Sequence, residues 1–113
     1  MPHASESRAR RVKLAGTVLA LVRMENGRQI TAKLHQLSIT GGMLWVETPL
    51  YEGIKVEVLF HVGTTTIRTR AVTRFPMWAT NGTLQPFEFS GLDDDERQQL
   101  QIDLEKLLNA RSS

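Results

Sequence analysis

The sequence predicts a mainly β fold, a six-stranded antiparallel β-barrel with one C-terminal α-helix. Three observations predict it. Six runs of strand composition recur at short intervals, turn-forming pairs such as Asn26-Gly27 and Asn81-Gly82 punctuate them, and the hydrophobic period changes to that of a helix at residue 93. Short strands at even spacing favour a sheet closed on itself, which leaves the helix to pack on its side or mouth. The 113 residues, 41% hydrophobic and 23% charged, are enough for one ordinary core.

Residues 1–11 read as a flexible basic arm, because "SRARRVK" gathers Arg8, Arg10 and Arg11 just ahead of Lys13. The folded unit is expected over 12–113, with the barrel at about 12–91 and the helix at about 93–110. "VKLAGTVLALV" (12–22) is aliphatic and β-branched and reads as the first strand; "MENGRQ" with Asn26-Gly27 turns it into a hairpin. On the return, Ile30, Ala32 and Leu34 alternate with Gln29, Thr31, Lys33 and His35, the pattern of a strand with one buried face. The corner "LHQLSITGGMLWV" (34–46) sets Ser38, Thr40, Gly41 and Gly42 between two strands. "KVEVLFHV" follows the Pro49 to Gly53 turn, and "TTTIRTRAVTRF" follows Gly63 with Arg68 and Arg70 on one face. "LQPFEFSGL" puts Phe87 and Phe89 on one side, and Pro86 in it suggests an edge or a bulge. In "DDDERQQLQIDLEKLLNA", Leu100, Leu104, Leu107 and Leu108 form a narrow apolar stripe, and Asp93, Asp94, Asp95 and Glu96 supply carboxylates for the helix N-terminus.

Composition excludes several function classes. A net charge of +2 is too small for a dedicated nucleic-acid binder, and the aromatics are sparse for base stacking. There is no cysteine, so disulfides and thiolate metal sites are out; His3, His35 and His61 share no metal-ligand spacing, so no metal site is expected. No apolar run is long enough for a membrane-spanning helix, and the charged start lacks the apolar region of a secretory signal, so a cytoplasmic location is expected. Asn81-Gly82-Thr83 matches a glycosylation sequon and is read as a turn. No nucleophile elbow, phosphate loop or carboxylate pair stands out, so no catalytic residue and no enzyme activity are expected. Trp45 reads as a core or rim aromatic and Trp78, in "FPMWATNG", as a residue of an exposed loop. Arg68, Arg70 and Arg74 read as a solvated strand face, with a shared anion-binding surface as the sharper alternative.

The arginine arm ending in "RVKL", the "QLSITGGML" corner, the "VTRF" strand and "FEFSGLDDDERQQL" running into the terminal helix together resemble a PilZ domain over nearly the whole chain. The resemblance implies a six-stranded PilZ-like barrel with a C-terminal helix, and a receptor for the bacterial second messenger cyclic di-GMP that needs no cofactor. The family's ligand signature is R-x-x-x-R on the arm and [D/N]-x-S-x-x-G at the corner. Carried onto this sequence, it implies a ligand-binding set of Arg8, Arg10, Arg11, Gln36, Ser38 and Gly41. Both halves are altered. Four residues before Arg11 stands Ser7, with Arg8 and Arg10 out of register, and Gln36 occupies the aspartate or asparagine position.

Physical chemistry weighs those changes. Arginine's planar fork binds phosphate oxygens or the O6/N7 edge of guanine bidentately, which serine cannot do. A hydrogen bond to a charged group contributes roughly 1.5–3 kcal/mol, so one lost arginine weakens binding about ten- to hundredfold. Gln36 keeps an amide but on a stem one carbon longer. The resemblance therefore implies either a weakened cyclic di-GMP receptor or an adaptor that has lost the nucleotide and acts through a protein partner in motility, secretion or biofilm control.

Overall fold

The computed structural model describes residues 11–14 and 17–112, with side chains to Asn109. Eight strands and one helix follow in the order β1 (Val12–Lys13), β2 (Leu19–Met24), β3 (Gln29–Leu37), β4 (Gly41–Val46), β5 (Lys55–Val62), β6 (Thr65–Thr73), β7 (Met77–Ala79), β8 (Gly82–Phe89) and α1 (Asp94–Ser112). All pairings are antiparallel. β3-β2-β5-β6-β8-β4 forms a path that closes through β3–β4 into a six-stranded barrel, with β1 added to β3 and β7 to β8. The expected barrel and helix are present.

Two details differ from the sequence reading. The single strand expected over 12–22 is two pieces, β1 and β2, both lying on the same edge of β3. β3 bulges between Leu34 and Gln36, a device that bends a strand and disrupts the ladder locally, and the neighbouring strand is interrupted beside it. Trp78 is 84% exposed but sits on strand β7, not on a loop; Thr80-Asn81 makes the tight turn back to β8. Gly82 opens β8 at φ 135°, where a Cβ would press on the Trp45 ring.

The predicted alternation holds where it was read. Ala32 and Leu34 are buried while Gln29, Thr31 and Lys33 are exposed, and on β6 Ile67, Thr69 and Ala71 are buried between exposed Arg68 and Arg70. Pro86 lies inside β8, paired with Met43 on one side. Its carbonyl accepts from the Arg74 N–H at 2.8 Å on the other side, where β8 passes from pairing with β7 to pairing with β6. Pro86 has no N–H to return that bond, and the Arg74 carbonyl is satisfied instead by the Gln85 side-chain amide, which donates to it at 2.7 Å.

α1 starts with a reciprocal capping box. Asp93 Oδ1 accepts from the Glu96 N–H at 2.8 Å, and Glu96 Oε1 accepts from the Asp93 N–H at 3.2 Å. Its apolar stripe packs against β1, β5 and β6, burying Leu100 and Leu104 and half-burying Leu107 and Leu108. The core is otherwise aliphatic and aromatic, with Val22, Val58, Phe60 and Leu44 at 1% exposure or less.

Candidate functional site

The connections between successive strands are divided between the two ends of the barrel. The β3–β4 corner, the β5–β6 turn and the lead into α1 share one end; the β2–β3 turn, the β4–β5 connection and the β7–β8 turn share the other. β1 joins the first end. Val12 pairs with Leu37 and Lys13 with Gln36, so Arg11 comes to the register position of Ser38. Pairing along β3 thus places the exit of the basic arm directly beside the corner.

The structure brings Arg11, Gln36, Ser38 and Gly41 into one neighbourhood, with Arg11 exposed, Gln36 half-buried and Ser38 and Gly41 buried. Arg8 and Arg10 lie outside the described residues. Ser38 is 3% exposed and its hydroxyl is engaged in the turn: Oγ accepts from the Thr40 N–H at 3.2 Å, lies 3.1 Å from Thr40 Oγ1 and donates to the Gly41 carbonyl at 3.2 Å. The Ser38 N–H donates to the same carbonyl at 2.7 Å. The corner is locked by its own side chains, a hydroxyl replacing backbone partners as turn serines do.

Gly41 does not take a positive φ, which the described residues show at Gly27, Gly53, Gly63 and Gly82. It is needed for close approach. A Cβ at Gly41 would collide with the Phe87 carbonyl oxygen, and one at Gly42 would collide with the Gln36 carbonyl oxygen on β3 and reach the Phe87 ring at 3.0 Å. The paired glycines let β8 press against β4, and Phe89 secures the contact by donating its N–H to the Thr40 carbonyl at 2.9 Å.

β8 also supplies a residue that sequence reasoning missed. Glu88 pairs with Gly41 across the ladder and accepts two hydrogen bonds from Arg74, from Nε at 2.9 Å and Nη2 at 2.8 Å. That fork holds the Glu88 carboxyl below the ordinary carboxylate range and raises the Arg74 guanidinium further. Glu88 sits 47 residues from its neighbour Gly41, so only the barrel's closure could reveal it. Arg68 is likewise paired, 3.5 Å from Glu57, and both members are solvent-facing. Arg68, Arg70 and Arg74 are exposed, two of them paired with carboxylates, while Arg8 and Arg10, with which they could share an anion-binding surface, lie outside the described residues.

What the corner offers is therefore an arm outlet, a half-buried amide, a sealed turn and a bidentate ion pair beside it. Its exposed Arg11 guanidinium can meet phosphates or guanine edges.

No family model and no curated protein matches the sequence. Solved structures do match. The chain is similar to the PilZ domain of YcgR from Escherichia coli, solved with c-di-GMP, at 19% identity and TM-score 0.70 over 93% of this chain and 95% of that one. It is similar to YcgR in complex with c-di-GMP at 16% identity and TM-score 0.83, and to the Bacillus subtilis inhibitor of motility MotI/DgrA at 18% identity and TM-score 0.73. It spans 58% of the MotI chain and 47% of the longer YcgR chain. The barrel has a PilZ-like fold, as the resemblance implied.

Proposed function

We propose that this chain is a PilZ-type binding module, not an enzyme, which takes up cyclic di-GMP between its arm arginines and the Gln36–Gly41 corner and relays that event to a protein partner in the cytoplasm. The observation that supports the reading is the β1–β3 pairing, which brings Arg11 to the register position of Ser38 at the corner. Arg8, Arg10 and Arg11 supply the phosphate and guanine contacts, and Gln36 the side-chain amide at the corner. Ligand uptake folds the arm over the corner and so changes the surface offered to the partner. The solved YcgR structures hold c-di-GMP, which supports the choice of ligand.

A second reading has one observation in its favour. Ser38 is buried with its hydroxyl committed to the turn, so the surviving serine of the signature has a sufficient role in folding alone. On that reading the chain is an adaptor that acts by protein–protein contact in motility, secretion or biofilm control.

Calorimetric titration of the whole chain with cyclic di-GMP separates the two. The receptor reading expects saturable binding, weakened about ten- to hundredfold by Arg11→Ala and strengthened by Ser7→Arg. No binding by the natural chain, with binding restored by Ser7→Arg, identifies a lapsed receptor and favours the adaptor. No binding by Ser7→Arg combined with Gln36→Asp overturns the corner as a ligand site.

A further inference from the structure

We propose that the groove at the other end of the barrel receives an extended peptide with alternating acidic and apolar residues, which adds as a strand along β3 at Gln29–Ala32. The backbone of β3 shows why a strand fits. The Leu34 N–H donates to Val18 at 2.7 Å and the Arg28 carbonyl accepts from Met24 at 2.8 Å, so even-numbered residues from 28 to 34 turn their backbone groups toward β2. Those of Gln29, Thr31 and Lys33 turn toward β4. Lys33 meets Trp45 there, but the ladder stops at that pair. Continued, its register would set Glu47 opposite Thr31; instead the chain leaves the sheet after Val46. Gln29 and Thr31 thus present an edge with no strand opposite on that side among the described residues, the template that β-strand addition uses.

The chain leaves because it must cross the barrel end from β4 to β5, which are not neighbours. Along the way it is tied to the far wall. Gln85, fully buried, accepts from the Leu50 N–H at 2.7 Å and donates to the Arg74 carbonyl at 2.7 Å. Thr73 Oγ1 accepts from the Ile54 N–H at 2.9 Å and donates to the Tyr51 carbonyl at 2.7 Å. The crossing is fixed on the β6–β8 side and leaves the β2–β3 side open, as a groove of about 700 Å³.

Its lining defines the occupant. Leu19, Met24, Trp45, Leu50 and Tyr51 give an apolar floor and rim, with Leu19 55% and Tyr51 86% exposed. Arg28 and Lys33 flank the free edge, Lys33 Nζ lying 5.4 Å from the Trp45 ring centroid, against Glu47 as the groove's carboxylate. Free backbone groups select an extended chain, the floor takes its inward side chains, and the cationic excess beside the edge takes its acidic ones. This site lies opposite the corner and does not depend on the nucleotide.

The test selects peptides from a displayed random library on the full chain, with the Arg28→Glu/Lys33→Glu variant as counter-selection. Amide hydrogen exchange of the full chain is then measured with the synthetic selected peptide. Enriched peptides should alternate acidic and apolar residues, slow exchange at Gln29 and Thr31, bind the double variant at least about tenfold more weakly, and bind equally with saturating cyclic di-GMP present. Should the double variant lose its fold by circular dichroism, Tyr51→Ala replaces it. No enrichment, equal binding to the variants, or protection confined to the corner overturns the proposal. Dimerisation of the free chain abolished by the same substitutions also overturns it and assigns the groove to a second copy.

Discussion

At the corner end of the barrel α1 lies against β1, β5 and β6 and buries Leu100 and Leu104, while at the groove end the crossing at residues 47–54 is held by hydrogen bonds to Gln85 and Thr73. The first closure is mainly apolar and non-directional, with Asp103 of α1 buried in it beside Gly63, and it spreads over the surface it meets. The second is polar and directional; it binds where donors and acceptors align and leaves the neighbouring wall uncovered. One end is therefore sealed around a turn, and the other is framed and open.

Equal truncations at the two ends should break this comparison most sharply. Leu100→Ala removes a side chain with 0% exposure and should destabilise by about 2–5 kcal/mol, whereas Tyr51→Ala at 86% exposure should change stability by no more than about 0.5 kcal/mol, both read by urea denaturation. Comparable losses would mean that the groove end is as tightly closed as the other. Next comes Gln85→Leu, which strands the Leu50 N–H and the Arg74 carbonyl and should lower stability by about 1–3 kcal/mol. The loss should be accompanied by faster amide exchange at Leu50, with the corner's amides unchanged. An unaltered exchange rate at Leu50 would remove the tether from the account.

The smallest effect concerns pH. Glu88 is held below its ordinary pKa first by the Arg74 hydrogen bond, so its contribution is present above the unfolded carboxylate's pKa and is lost as pH falls through the lower, folded value. Glu88→Gln should flatten the acid limb of a melting curve while leaving neutral behaviour nearly intact, since the pair is half-exposed and screened. A marked drop at neutral pH would show that the pair braces β8 against the corner.

Legibility followed the range of the interactions. Alternation along β3 and β6, the Asn26-Gly27 and Asn81-Gly82 turns, and the helix with its capping box are local, and each was readable from a few adjacent residues. The corner was readable as a polar, glycine-bearing turn, but the reason for Gly41 was not, because the atom that forbids a Cβ belongs to Phe87. β7 escaped notice because three residues after Pro76 carry no period, and the break between β1 and β2 because an aliphatic run reads the same paired or unpaired. The groove is the extreme case: it arises from where β4 stops pairing with β3, a property of register between strands and of no single stretch.

The ring closes through β4, which pairs with β3 on one side and with β8, some forty residues later, on the other. During synthesis the first strands can form hairpins, but β4 keeps a bare edge until β8 has emerged, and the Gly41–Phe87 packing cannot exist before then. Such non-local closure belongs to the slow class of folding, on the order of milliseconds to seconds. A nascent chain halted before residue 89 would be a sticky, open sheet and a natural client for chaperones.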